Sequence, residues 1–402
     1  MPVVARQQRR ANKIALWSNN ATSAEEFGPI GLSAEAWIGT SCSKLMEIVA
    51  MKKSLLALVV LGAFAGVASA QSSVTIFGKI DQAVGKRIGF KDKQVLDTAG
   101  SRIAFRGYED LGGGLGALWA IEHRFTPDTG TVGPGVQPSS AASTKFWEGF
   151  SFVGLRTQFG AVTLGRQYTS SFLTVQNNVD PFAGETVAAL RDIGMGLRTS
   201  LTGFETLPVQ LNPGQIRVSD SIKYALVAGG VSFSADIAET PAGGSDRPYS
   251  VALAYTGGPF WAGVAYENPT SDDDNLLNLG ARYTFSNVTL SGAYSFGDTA
   301  RLGPLGPREI KTWLVGANIA VGVGDIKVGY ADAKIGSVKS NERFGIGYHH
   351  NLSKRTKIYV DYAYDSKGFH GIASTAPFSA SPALRDFRDE KSGYDFGIQH
   401  NF

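Results

Sequence analysis

From Ser73 onward, apolar and polar residues alternate one by one along the chain. In "SVTIFGKID", Val74, Ile76, Gly78 and Ile80 fall on one side and Thr75, Phe77, Lys79 and Asp81 on the other. "YSVALAYT" sets Tyr249, Val251, Leu253 and Tyr255 against Ser250, Ala252, Ala254 and Thr256. "KIYVDYAY" sets Ile358, Val360, Tyr362 and Tyr364 against Lys357, Tyr359, Asp361 and Ala363. A two-residue period places successive side chains on opposite faces of a strand, so each segment predicts a strand with two unlike faces. Read this way, the chain holds about sixteen strands. They begin near residues 73, 99, 115, 145, 161, 215, 231, 249, 260, 276, 288, 310, 325, 341, 356 and 392.

The connections alternate in length as well. One set is tight: "EDLGGG", "QFGA", "VAGG", "TGGP", "SN", "VGVG" and "NLSKR". The other is longer and polar, near 86–98, 127–143, 169–213, 240–248, 269–275, 297–309, 334–340 and 365–391. Short turns at one end and long loops at the other are the arrangement of a transmembrane β-barrel. The apolar face carries aliphatic residues in mid-strand and aromatic residues near the strand ends, as two interfacial girdles require. The second face, rich in Ser, Thr, Gly and charges, suits water. At sixteen strands a closed sheet has a lumen wide enough to hold it. Lipid forbids an open sheet edge, so the last strand, "YDFGIQHNF", should pair with the first. The expected fold is therefore all-β: a 16-stranded antiparallel transmembrane β-barrel.

Composition agrees. Charged residues make up 18% and there are 49 glycines, a turn-rich mix. One stretch is continuously apolar. "MKKSLLALVVLGAFAGVASA", residues 51–70, has a basic start, an apolar run and a small-residue end, which are the three parts of a secretory signal peptide. Residues 1–50 show no period, and the expectation is that they are an upstream extension ahead of a start at Met51. Residues 1–70 contain 7 basic and 4 acidic residues, leaving 31 of each in the remainder. The net charge of +3 thus belongs to the leading segment, and nucleic-acid binding loses its support. The only cysteine, Cys42, lies there too, so residues 71–402 form no disulfide.

Several segments together resemble the general-diffusion porins of Gram-negative outer membranes, of the β-proteobacterial and neisserial type. They are "SVTIFGKID", "SRIAFRGYEDLGGGLGALWAIE", "FVGLRTQFGAVTLGRQY", "YHHNLSKRTKIYVDYAY" and the terminal "GIQHNF". The resemblance implies a homotrimer in outer-membrane lipid, passing ions and small hydrophilic solutes with modest anion preference, and with the third loop folded into the pore. That loop would occupy 169–213. Its "NNVDPFAGE" is similar to the family's constriction segment and would bring Asp180 and Glu185 to the neck. The resemblance carries Lys79, Arg102 and Arg217 over to the facing basic wall, with Arg106 added because it shares the polar parity of Arg102. Where the family has an arginine before "YVGL", this chain has Gly149, and Lys145 shares that parity. Opposite charges across a narrow, low-dielectric neck would focus a field that sorts ions.

Other chemistry is sparse. His349 and His350 are adjacent and so face opposite ways; His123, His370 and His400 stand alone. No phosphate-cradling loop and no nucleophile elbow occurs. No catalytic residue, metal site or cofactor is therefore expected. "DDD" at 272–274 reads as a solvated loop tip. The alternatives weighed are an outer-membrane barrel hydrolase, which would need a histidine bonded to a nucleophile or carboxylate, and a surface adhesin or antigen barrel using the long loops.

Overall fold

The structure is a computed structural model that describes residues 73–132, 145–195, 215–240, 246–269, 274–299, 308–367 and 389–402. The expected upstream extension and signal peptide lie outside these residues. So do Asp272, Asp273 and the third loop from residue 196 to 214.

Among the described residues there are eighteen strands, two of them short. The first stretch holds β1 (Ser73–Lys86), β2 (Gln94–Leu96), β3 (Arg102–Gly112), β4 (Leu115–Thr126) and β5 (Thr131–Val132). Next come β6 (Ser151–Thr157), β7 (Gly160–Tyr168), β8 (Arg217–Ala228), β9 (Val231–Ala238), β10 (Tyr249–Gly257) and β11 (Phe260–Asn268). The rest are β12 (Asn275–Phe285), β13 (Val288–Thr299), β14 (Arg308–Val321), β15 (Gly324–Ile335), β16 (Val338–Asn351), β17 (Thr356–Asp365) and β18 (Ser392–Asn401). The short β2 and β5 only extend loops along β1 and β4. The other sixteen pair antiparallel with their chain neighbours, and β18 returns to β1, Lys79 lying opposite Asn401 and Lys86 opposite Tyr394. The seam is finished by Gly78 and Phe402, whose backbones exchange two hydrogen bonds of 3.0 and 3.1 Å. The ring is closed, and no strand edge is left for lipid to face.

Alternation along each strand sets which residues meet lipid. On β10, Tyr249, Val251, Leu253 and Tyr255 are 37, 42, 46 and 49% exposed, whereas Ser250, Ala252 and Ala254 are 1, 1 and 4% exposed. A soluble protein would hide the first set and wet the second. Here the apolar set points outward, with aromatic rings at both ends, which is the belt of a barrel in a bilayer. No described helix is long and apolar enough to cross a membrane; the chain crosses with strands.

The tight connections fall where the pattern puts them. One of the expected long loops does not. Residues 334–340 form a two-residue turn at Gly336 and Ser337, joining β15 directly to β16. Gly336 supplies the positive φ, 56°, that such a hairpin needs. The polar letters of "KIGSVKSN" belong to strand ends rather than to a loop.

Candidate functional site: the lumen and its third loop

The third loop, which follows β7, enters the barrel. It forms α1 (Ser170–Thr174), a single 3₁₀ turn (Gln176–Asn178) and α2 (Arg191–Gly194). Thr169 caps α1 by accepting a hydrogen bond from the Phe172 amide. The Ser170 amide donates to Asp236 on β9, and the Asn278 side chain on β12 donates to Ser171 Oγ at 2.9 Å. Val175, Val179, Phe182, Leu190, Ile193 and Met195 of the loop then pack in one buried cluster with small and aliphatic wall residues, including Ala252, Ala265, Leu276, Leu314 and Ala331. This differs from a lumen face that is polar throughout. Part of the wall beneath the loop is therefore apolar, and hydrophobic burial helps hold the loop inside the barrel.

Asp180 is the organiser of this loop. Its Oδ1 accepts from the Phe182 amide at 2.9 Å, and its Oδ2 from the amides of Gly184, Leu190 and Arg191 at 3.0, 2.8 and 2.8 Å. Four backbone donors thus converge on one buried carboxylate. Glu185 docks the loop on the wall made by β1, β17 and β18. Lys79 and Lys357 donate to it, the latter at 3.3 Å, and the Gln399 side chain donates at 3.0 Å. Burial alone would raise this carboxyl, but Lys79 and Lys357 beside it hold it well below the usual carboxylate range. Lys79 and Glu185 therefore touch rather than face each other across open water. Nearby, the Val187 amide donates to Asp395 at 2.9 Å.

The remaining predicted cations gather on a different wall. Arg102 on β3 is paired in register with Arg124 on β4. Arg124 Nε donates to Glu122 Oε1 at 2.7 Å, and Arg102 Nε lies 3.8 Å from Glu122 Oε2. Arg124 Nη2 and Arg217 Nη2 both donate to the Tyr168 hydroxyl, each at 2.9 Å. The Arg217 guanidinium also lies 4.5 Å over the Tyr168 ring. Three guanidiniums thus share one carboxylate and one phenol. The Arg217 Nε is buried with no hydrogen-bond acceptor. Tyr168 is the last residue of β7, and its ring stacks on Phe172 of α1 at 5.1 Å. The arginines accordingly sit at the root of the third loop. A bulge between Gly165 and Gln167 brings in Arg166, which donates to the Glu148 carbonyl and to Ser219 Oγ at 2.9 and 3.0 Å. Arg106 stands further along β3, over the Phe77 ring at 5.1 Å. Lys145 is exposed.

Arg124, Glu122, Tyr168 and Arg166 are not among the residues singled out from the sequence. Glu122 and Arg124 share the polar parity of "AIEHRF", so parity alone could have found them; the bulge that aims Arg166 leaves no such trace. Gly149, standing where an arginine was expected, leaves room for the Glu122 carboxyl. A Cβ built there would come within 2.2 Å of Oε1. His349 bonds to Asp361 at 3.1 Å and is buried in the wall. Among the described residues, no three His, Cys, Asp or Glu side chains are grouped to hold a metal ion.

A closed barrel of sixteen strands, apolar outside and lined with charge, with a loop folded into its lumen, is an outer-membrane channel. The chain belongs to the Gram-negative porin family, whose profile matches residues 57–368. Outer membrane porin protein 32 of Delftia acidovorans is 32% identical over 385 residues, covering 88% of this chain and all of its own length. A major outer membrane protein P.IB of Neisseria lactamica is 25% identical, covering 83% of this chain and 99% of its own. Among solved structures, an anion-selective porin from Comamonas acidovorans superposes with a TM-score of 0.61 at 26% identity, covering 83% of this chain and all of the other. The trimer form of OmpT from Vibrio cholerae, at 13% identity and a TM-score of 0.56, shares the fold. The protein is an outer-membrane porin, and membership of this family points to a channel rather than to the hydrolase or adhesin alternatives.

Proposed function

We propose that this porin passes small hydrophilic solutes passively and favours anions, through a neck whose basic wall is Arg102, Arg124 and Arg217, with Arg106 and Lys79 flanking it, and whose other side is the third loop held by Asp180 and Glu185. The observation that carries this is the imbalance in this cluster, where Glu122 is reached by Arg102 and Arg124 while Arg217 beside them meets only a phenol and its Nε lacks an acceptor. A guanidinium stays ionised at every physiological pH. Uncompensated positive charge in a low-dielectric passage raises the local concentration of anions. Glu185 adds little opposing field, because two lysines flank it, and the charge of Asp180 is turned into its own loop, where four amides solvate it. The likeness to an anion-selective porin from Comamonas acidovorans supports the same preference. A homotrimer is proposed on family likeness, with the trimer form of OmpT as a structural neighbour.

The test is the reversal potential of the purified protein in a planar bilayer under a potassium chloride gradient. The expected sign is that of chloride preference. Arg102→Gln combined with Arg217→Gln should lower the chloride-to-potassium permeability ratio roughly five-fold. A cation-selective wild type, or a double variant with an unchanged ratio, would overturn the assignment of the neck.

A further inference from the structure

Arg282 differs from the arginines of the neck. It lies on β12, on the parity of Leu276, Asn278 and Gly280, which faces the lumen. Its guanidinium is 5.0 Å over the ring of Trp261, its cross-strand neighbour on β11. Among the described residues it takes part in no hydrogen bond and no ion pair. Its surroundings are polar but uncharged: Ser291 lies opposite on β13, and Thr284, next on the same face, shares a hydrogen bond of 3.0 Å with Thr289. A cation over an aromatic face is held in place without spending its N–H donors.

Its height in the barrel gives this charge its meaning. Asn278 touches the third loop at Ser171. Gly280 lies directly against it, since a Cβ there would come within 2.7 Å of Val179 and 3.3 Å of the Trp261 ring. Arg282 is the next lumen-facing residue, about 13 Å along the strand from Asn278 at a rise of ~3.3 Å per residue. Thr284 and the Ser286–Asn287 turn follow. The guanidinium therefore sits below the loop, on the short-turn side that faces the periplasm, with Trp261 pinned beneath Val175 and Val179.

We infer that Arg282, seated on Trp261, is a second anion-holding point on the periplasmic side of the neck, where small carboxylates pause between the constriction and the periplasm. The inference deepens the anion preference proposed above and rests on it. The chemistry is that of an oriented fork of donors with full charge and no resident carboxylate, which matches the two oxygens of a carboxylate group. Two stations in series, one tightly lined and one loosely lined, allow an anion to be attracted and still leave.

The experiment compares wild type, Arg282→Gln and Arg282→Lys in planar bilayers. It is run at about 0.1 M potassium chloride, where charges reach ~10 Å, and again at about 1 M, where they reach ~3 Å. Succinate is added to the periplasmic side as the carboxylate probe. In wild type, succinate should reduce the chloride current, and more strongly from the periplasmic side than from the outer side. In Arg282→Gln this reduction should weaken roughly three-fold, and the chloride-to-potassium ratio should fall about two-fold at the lower salt only. Arg282→Lys, which keeps the charge and loses the fork, should keep the ratio and lose much of the succinate effect. If wild type prefers cations, the underlying reading of the neck fails. If wild type prefers anions and Arg282→Gln matches it in both ratio and succinate sensitivity, only the inference about Arg282 fails. Normal insertion frequency and unit conductance of Arg282→Lys report on folding.

Discussion

Two walls of the lumen are built from the same ingredients and end electrically unlike. Where the third loop docks on β1, β17 and β18, the charges are tied to the loop itself: Lys79 and Lys357 close on Glu185, and Asp180 is saturated by amides of its own loop. At the junction of β3, β4, β7 and β8, the guanidiniums of Arg102 and Arg124 both reach Glu122, and Arg124 shares a phenol with Arg217, which has no carboxylate of its own among the described residues. The first wall spends its charge on architecture. The second, in the function proposed above, keeps charge in hand for passing solutes. What separates a structural charge from a functional one is the count of partners around it rather than its position on the lumen face.

The contrast can be broken most forcefully at Asp180. Asp180→Asn keeps the size but loses the charge and offers donors where four amides need acceptors. The cost should be about 3 kcal/mol or more, from the unsatisfied buried groups alone. The third loop should leave its seat while the barrel remains, which would appear as noisy unit conductance and new protease cleavage within 169–195. Quiet, wild-type steps would show that hydrophobic packing alone holds the loop.

Acid should sharpen the comparison, because protonation undoes the ion pairs of the first wall but can only add positive charge to the second, whose carboxylate is Glu122. The Glu185 carboxyl is depressed below the ordinary glutamate value of about 4.3. A depressed carboxyl contributes stability that is complete above its unfolded value and is lost as pH falls through its folded one. The docking contact should thus survive from pH 7 to pH 5 and give way only well below pH 4, read as the onset of loop cleavage or current noise. Glu185→Gln should show the released behaviour at pH 7. The arginine wall, by contrast, should hold the sign of its reversal potential across this whole range. Loss of anion preference between pH 7 and 5 would place a titrating group in the neck.

The smallest effect expected is at Gly149. Gly149→Ala would push the Glu122 carboxylate off Arg124 without removing any charge. Freed of part of its one counter-ion, the arginine cluster should become slightly more attractive to chloride. A ratio raised by less than about two-fold in the bilayer measurement is the expected outcome, and a lowered ratio would mean that Glu122 serves chiefly to aim the guanidiniums.

The barrel was legible in the chain because lipid and water impose a strict two-residue alternation on every spanning strand. Starts near 73, 115, 231, 249, 260, 288, 356 and 392 agree with β1, β4, β9, β10, β11, β13, β17 and β18 to the residue. Legibility failed where strands leave the bilayer. At the joined ends of β15 and β16 polar residues such as Ser340 and Asn341 are buried beside apolar Ile335, so "KIGSVKSN" carries no clean alternation and reads as a loop. The lumen was harder still. Parity tells that Lys79, Arg102 and Arg217 point inward, but not what they meet. Lys79 finds Glu185 from 106 positions away, and Tyr168 collects Arg124 and Arg217 from opposite directions along the chain. Local pattern carries no information about such meetings, and the bulge at Gly165 hides Arg166 from any count of alternation.

The bonds between Gly78 and Phe402 join the first and last of the described strands. Until those two meet, a nascent barrel presents a pair of raw hydrogen-bonding borders to a greasy medium that cannot satisfy them. Assembly of this wall is therefore all-or-nothing at its final step, and a lesion at the seam should empty the membrane of the protein rather than leave behind a leaky one.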